Sequence, residues 1–101
     1  MIKSATQSRE DRESLTRQAI ASIIRSRISE YSLRKTTIAS ESGISQRYLR
    51  ALLRAEKTMS IFIFLELSDA LRCDDPSQLL REVLQRREQL LADYSQRDPV
   101  R

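Results

Sequence analysis

The chain has 101 residues, with 18 Lys and Arg against 14 Asp and Glu, no His, one Cys, one Gly and two Pro. A chain of this length builds one modest core, so we expect a single domain. Without His, and with Cys73 alone, a His-containing catalytic triad, a disulfide framework and a Cys/His zinc site are excluded, and we expect no enzyme, metal or cofactor. No apolar run approaches the roughly 18–20 residues of a membrane span, and Met1–Arg12 lacks the apolar stretch of a signal peptide. These features predict a cytoplasmic protein with no membrane partner.

The scarcity of turn residues predicts an all-α fold. Sandwiches and barrels need turn residues at roughly every 8–12 positions. One Gly and two Pro supply too few of them.

The net charge of +4 is confined to one segment. Residues 32–58 contain six basic and two acidic residues, whereas the rest of the chain contains 12 of each. Fifteen of the 18 basic residues are Arg, which binds phosphate and guanine through paired hydrogen bonds. This distribution favours a polyanionic partner, and the alternative is an Arg-rich surface that only contacts solvent.

The first predicted helix covers about Arg9–Glu30, where apolar residues recur at three- and four-residue steps. Its N-cap lies in the run that starts at Ser8 or at Ser14, and the pattern fits both. A short second helix, with Ile38 and Ala39 facing inward, is expected to end at Ser42-Gly43.

Gly43 is the only glycine, and we expect it just past the end of the second helix in the left-handed conformation, which costs other side chains about 1 kcal/mol or more. Ser45 is a suitable N-cap for a third helix from about Gln46 to Arg54. Two short helices joined by a turn that contains Gly form a helix-turn-helix candidate at about 34–54.

The apolar run at 59–71 fits a buried strand or a helix. Ser60 as N-cap, the apolar spacing that continues to Leu71 and the lack of a partner strand favour a fourth helix. Asp74-Asp75-Pro76 then predicts the start of a long fifth helix, because Asp caps helices and Pro suits the first helical position. We therefore expect a domain at 9–94 and flexible segments at 1–8 and 95–101. Cys73 is predicted to be a small buried residue.

An ordered set of residues runs from Leu33 to Leu80. It comprises Ile38-Ala39, Ser42-Gly43-Ile44-Ser45, Leu49, Leu52, the segment Ser60–Leu71 and Asp75-Pro76-Ser77-Gln78-Leu79-Leu80. This set resembles the lambda-repressor-like (Xre-type) helix-turn-helix family, whose small regulators include phage repressors and restriction–modification controller proteins. The chain departs from the family where Glu, Gly and Pro are common, at Leu53, Ala55 and Met59, so the loop at 55–59 can follow a different path. The resemblance implies a five-helix DNA-binding domain, here with an extended C-terminal helix, whose third helix enters the major groove.

The third helix separates apolar from polar residues at 100° per residue. Base contacts are expected from Gln46, Arg47 and Arg50, with Ala51 beside them against a thymine methyl. Contacts with the DNA backbone are expected from Arg34, Lys35, Ser45, Tyr48, Arg54, Lys57 and Thr58. For Tyr48, packing in the core is the alternative.

The last two helices, at about 60–94, predict a homodimer. A helical wheel places Phe62 between Glu66 and Asp69, away from the side of Ile61, Phe64 and Leu65, and a large aromatic residue on a charged face indicates an interface. The apolar stripe of the fifth helix also extends past the usual end of such a domain. The predicted interface residues are Phe62, Leu84, Leu90, Leu91 and Tyr94. The alternative is that the long helix folds back onto its own domain.

These features predict a transcription regulator, most simply a repressor, that binds double-stranded DNA at an inverted-repeat operator as a homodimer. No small-molecule ligand is expected, because the chain has no room for a ligand domain. The alternative is an antitoxin-like interaction module whose C-terminal helix binds a second protein, with DNA binding secondary.

Overall fold

The computed structural model describes residues 8–97, and all regular structure in that range is helical, as the composition predicts. The five helices are α1 (Arg9–Glu30), α2 (Lys35–Ser42), α3 (Gln46–Leu53), α4 (Ile61–Ala70) and α5 (Pro76–Arg97). The segments predicted to be flexible lie largely outside the described residues. Ser8 nevertheless caps α1, and α5 continues through residues 95–97, so the helical part is longer than 9–94.

Serine caps explain where three of the helices begin. The hydroxyl oxygen of Ser8 accepts the backbone N–H of Asp11 at 3.1 Å, and the Asp11 carboxylate accepts the N–H of Ser8, which completes a capping box. Ser45 and Ser60 cap α3 and α4 in the same way, through their hydroxyl oxygens. The cap of α1 is therefore Ser8 rather than Ser14, and the run at 59–71 forms a helix rather than a strand.

All five helices contribute buried side chains to one core. Its largest fully buried apolar side chains come from α2, α3, α4 and the residue that ends α4: Ile38, Leu49, Leu52, Leu67 and Leu71. Cys73 belongs to the same cluster, as predicted, and its thiol donates to the carbonyl oxygen of Asp75 at 3.2 Å. At the start of α5, the Asp75 carboxylate accepts the N–H of Ser77 at 3.0 Å beside Pro76.

An ion pair between a buried arginine and a partly exposed glutamate joins α1 to α5. The guanidinium of Arg27, with 9% of its side chain exposed, donates to the Glu82 carboxylate at 2.9 Å and lies 5.8 Å from the centre of the Tyr31 ring. Burial on its own lowers the pKa of Arg27, but the hydrogen bond and charge of Glu82 outweigh burial and hold that pKa above its ordinary value.

The C-terminal half of α5 also lies along α1. The Arg87 guanidinium donates to the Thr16 hydroxyl at 2.8 Å, and the Tyr94 hydroxyl donates to the Asp11 carboxylate at 2.9 Å. Leu90 packs against the core, and Leu91 is half-buried. Leu90 and Tyr94, which the sequence assigns to a dimer interface, thus make contacts within their own chain, as the alternative of a long helix that folds back expects. Within residues 8–97, no helix combines the length and apolarity needed to cross a membrane.

Candidate nucleic-acid interface

The turn between α2 and α3 depends on Gly43. Gly43 has φ 74° and ψ 23°, the left-handed conformation predicted for it, and the next N–H, of Ile44, donates back to the carbonyl oxygen of Ala39 at 3.0 Å. No heavy atom lies within 4 Å of the position that a Cβ would take at Gly43, so the requirement for glycine is conformational rather than steric. Two residues later, the extended backbone of Ser45 starts α3.

The inner side and the C-terminal end of α3 are fixed to the rest of the chain. Leu49 and Leu52 are fully buried. Arg25 of α1 donates to the carbonyl oxygen of Leu53, and Arg17 of α1 donates to that of Ala55 at 3.2 Å. Cationic donors at a helix C-terminus satisfy its last carbonyl groups and oppose its negative dipole end. These contacts hold α3 in one position relative to α1.

The outer side of α3 carries polar side chains with no internal partner. Gln46, Arg47 and Arg50 are exposed, and within residues 8–97 none of them makes a hydrogen bond or an ion pair through its side chain. Ser45 is exposed as well, and its oxygen accepts the N–H of Tyr48 at 3.0 Å while its own O–H has no acceptor in the described part of the chain. These groups are open to an external ligand, and they lie on the outer side of α3, as the helical spacing predicts.

The start of α2 offers a second set of donors. Its N-cap residue, Arg34, makes no side-chain capping bond, and Lys35 follows it in the first turn. Both side chains are exposed. The open N–H groups and the positive end of the helix dipole attract anions here, and two cationic side chains strengthen that attraction. Lys57 and Thr58, in the loop after α3, are exposed too.

Two predicted contact residues are placed differently. Ala51 is only 8% exposed. The chain turns back just after it, at Ala55, and the N–H of Glu56 donates to the Ala51 carbonyl oxygen at 2.9 Å. Little of its methyl group is left to meet a thymine. Arg54 is exposed but paired with the Glu56 carboxylate, at 3.0 and 3.2 Å, and this hydrogen bond lowers the pKa of Glu56. The negative charge of Glu56 thus offsets the positive charge of Arg54, which the sequence assigns to a contact with a DNA phosphate.

Tyr48 is the third residue whose placement departs from the expected backbone contact. Its ring is half-buried and packs against the core, and burial raises the pKa of its hydroxyl. The hydroxyl donates to the carbonyl oxygen of Thr58 at 2.5 Å. Because a phosphate oxygen only accepts hydrogen bonds, Tyr48 has no free donor for the DNA backbone while this bond is made.

An apolar groove of about 520 Å³ lies between α1, α4 and α5. At its edges, Ile61 is 70% exposed, Leu80 45% and Leu84 46%. Beside it on α4, Phe62 is 66% exposed and Leu65 is 43% exposed. Ile61 and Leu65, which the helical wheel places on the side away from Phe62, are therefore exposed together with it. Because α5 packs mainly along α1, the first turns of α4 are left uncovered.

Sequence reasoning missed the groove edge at Leu80 and the contribution of Ile61. The i, i+4 spacing of Leu80 and Leu84 was a visible signal, since neighbours at that spacing share one face of a helix. In comparisons with known proteins, no family model, no curated protein and no solved structure matched this chain.

Proposed function

We propose that this protein is a sequence-specific DNA-binding regulator with a lambda-repressor-like helix-turn-helix, a repressor that binds an inverted-repeat operator as a homodimer. The observation that carries the proposal is the outer side of α3, where Gln46, Arg47 and Arg50 are exposed and without internal partners among residues 8–97. In the major groove of DNA, which is wide enough for a helix, Arg bonds guanine O6 and N7, and Gln bonds adenine N6 and N7.

Backbone contacts come from residues outside this helix face. Arg34 and Lys35 at the start of α2, and Lys57 in the following loop, are exposed cations that neutralise phosphates and release counterions. The O–H of Ser45 is a neutral donor to the same backbone. These contacts set the register of α3 in the groove, while the three polar residues of α3 read the bases.

The homodimer is supported by the exposed apolar residues beside the groove: Ile61, Phe62, Leu65, Leu80 and Leu84. Taking a full large apolar residue as roughly 200 Å², they present about 500 Å² of apolar surface. A standard interface covers about 800 Å² on each partner, and about two thirds of a homodimer interface is apolar. The exposed apolar surface is therefore about as large as the apolar part of one side of such an interface, so a second copy can cover it. A pair of such domains reads two half-sites about one helical turn apart.

Selection of DNA fragments from a random pool by the purified protein tests this function and yields the operator. On the selected site, Arg50→Ala is expected to weaken binding by about 5- to 150-fold, or 1–3 kcal/mol, and to relax the preference at one base pair. Arg81→Ala removes an exposed arginine of α5 instead and serves as the control. Selection that enriches no sequence, or an Arg50→Ala variant that binds like the control, contradicts the proposal.

Lys57→Ala separates phosphate contacts from base contacts. This change is expected to weaken binding to operator and to random DNA by the same factor, and to reduce the slope of log affinity against log salt by about 1.

The exposed apolar groove also favours the second candidate, an interaction module that binds another protein. A chain that enriches no DNA sequence and stays monomeric at micromolar concentration would support that candidate instead.

A further inference from the structure

A second concavity, of about 490 Å³, opens at the C-terminal end of α3, between α1 and α5. Three arginines line it: Arg25 of α1, Arg54 just after α3 and Arg86 of α5. Ser22 of α1 lies among them, and Leu53 and Leu90 add an apolar wall. We call this concavity the arginine pocket. It is separate from the outer side of α3 and from the apolar groove.

The positive charge in the arginine pocket is not balanced from within. None of its lining residues is acidic. Arg54 has a carboxylate partner, Glu56, but Arg25 bonds only the Leu53 carbonyl. Arg86 bonds the Ser22 hydroxyl and the side-chain oxygen of Gln89. Within residues 8–97, therefore, neither Arg25 nor Arg86 is paired with an acid, although like charges that share a concavity repel each other.

Both guanidinium groups retain donors for a ligand. A guanidinium has five N–H groups, of which Arg25 uses one and Arg86 uses two in the bonds described. Arg86 is half-buried, which strengthens its attraction for an anion relative to a fully solvated group. Paired N–H donors match the oxygens of phosphate better than those of a spherical anion such as chloride.

We propose that the arginine pocket binds a phosphate group, held by Arg25 and Arg86. The volume is within the range of small-molecule sites, about 300–1,000 Å³, and exceeds what inorganic phosphate fills. The apolar wall of Leu53 and Leu90 suits the carbon-bearing part of an organic phosphate. The same chemistry has two sources, a free organic phosphate and the DNA backbone, and the two are separated by experiment below.

A phosphate bound in the arginine pocket contacts α1 and α5 next to the end of α3. A phosphate bound there relieves the repulsion between the arginines, so it stabilises the folded chain by mass action. In its effect on DNA, this inference rests on the proposed function, because α3 is the helix proposed to read bases. Phosphate binding itself is measured without DNA, so its failure leaves the regulator proposal standing, and failure of DNA binding leaves the pocket testable.

The test uses the full chain, inorganic phosphate and adenosine monophosphate as probes, and chloride at matched ionic strength as the reference. Calorimetric titration and thermal unfolding are expected to show binding and a rise in Tm for both phosphates, larger for adenosine monophosphate. Arg86→Gln is expected to weaken binding at least tenfold, whereas Arg81→Gln, on the exposed part of α5, leaves it unchanged. Equal responses in the two variants, or no response of the unsubstituted chain, overturn the proposal.

Ser22→Glu provides a second variant that does not depend on removing an arginine. A carboxylate at this position lies next to Arg86, so we expect a higher Tm without phosphate and loss of the phosphate response. A Ser22→Glu chain that still responds to phosphate like the unsubstituted protein contradicts the assignment of the site.

The source of the phosphate is decided on operator DNA. If the DNA backbone occupies the pocket, Arg86→Gln lowers the salt slope by about 1 and adenosine monophosphate competes with operator. If a free organic phosphate occupies it, the slope is unchanged and the ligand and operator bind together. Both results support a phosphate site and identify its ligand.

Discussion

Phe62→Glu and Leu84→Arg are each expected to abolish the dimer, and mixing the two variants is expected to restore it. In a two-fold interface the same surface is present on both copies, so every contact occurs twice. Pairing α4 with α4 leaves both apolar grooves open to water, whereas pairing α4 of one copy with the groove of the other covers both. In the proposed dimer we therefore expect Phe62 of one copy to lie against Leu84 of the other.

The magnitude follows from the exposure of Phe62. With 66% of the residue exposed, and a full Phe taken as roughly 200 Å², complete coverage in the proposed dimer buries about 130 Å² of each Phe62. At about 25 cal/mol per Å² this contributes about 3 kcal/mol per copy. Because the contact occurs twice, Phe62→Glu is expected to weaken dimerisation by about 6 kcal/mol, or about four orders of magnitude in Kd.

The symmetry of the interface makes the mixture informative. In a mixed dimer, one contact pairs the glutamate introduced at position 62 with the arginine introduced at position 84, and the other contact keeps Phe62 against Leu84. Sedimentation equilibrium of each variant and of their mixture, at micromolar concentration and low salt, measures the outcome. Phe62→Arg mixed with Leu84→Arg is the matched control, because it sets two cations against each other and is expected to stay monomeric.

Three results refute this reasoning. The unsubstituted chain is monomeric, a single variant remains dimeric, or the mixture remains monomeric although circular dichroism shows both variants folded. In the last case α4 does not face the α5 of the partner copy.

Three further predictions concern stability. Gly43→Ala is expected to destabilise the fold by about 1 kcal/mol in urea unfolding, because φ is 74°, and Gly43→Asn by less, because Asn tolerates this conformation. Glu82→Ala leaves the buried charge of Arg27 unpaired and is expected to cost about 2–4 kcal/mol, whereas loss of the exposed Glu13 partner of Arg9 costs about 0.5 kcal/mol or less; equal costs contradict the structure. The hydrogen bond from Tyr94, followed by those from Ser8, lowers the pKa of Asp11, so its carboxylate stabilises the fold above the unfolded pKa of about 4 and this contribution is lost as pH falls through the lower folded value. Asp11→Asn should flatten that acid limb in thermal unfolding followed against pH, and an unchanged limb places the titration elsewhere.

Local signals in the sequence predicted the helix boundaries well. A serine N-cap accepts the N–H three residues later, and a glycine ends a helix through its own backbone conformation. Both effects act within a few residues, so the roles of Ser45, Ser60 and Gly43 at helix ends could be predicted from the sequence alone. The choice between Ser8 and Ser14 needed the reciprocal bond from the Ser8 N–H to the Asp11 carboxylate, which only coordinates reveal.

Structural features that depend on residues distant in sequence could not be predicted in the same way. The stripe at Leu90 and Tyr94 has the same spacing whether it contacts another copy or α1. The hydrogen bonds that place it along α1, from Arg87 to Thr16 and from Tyr94 to Asp11, join residues far apart in sequence. A helical wheel likewise assigns faces to α4 without knowing that α5 leaves its first turns uncovered. Periodicity therefore located the apolar faces, and tertiary packing determined which of them are exposed.

The loop between α3 and α4 connects the two surfaces on which the proposed function depends. Tyr48 of α3 holds it through the Thr58 carbonyl, and Lys57 is exposed beside that point. The next two residues, Met59 and Ser60, line the apolar groove. In the proposed dimer, a second copy seated in the groove thus contacts a segment that is hydrogen-bonded to α3 itself. Dimerisation then fixes the distance between the two copies of α3 through one short connection, and that distance determines which spacing of operator half-sites the dimer accepts.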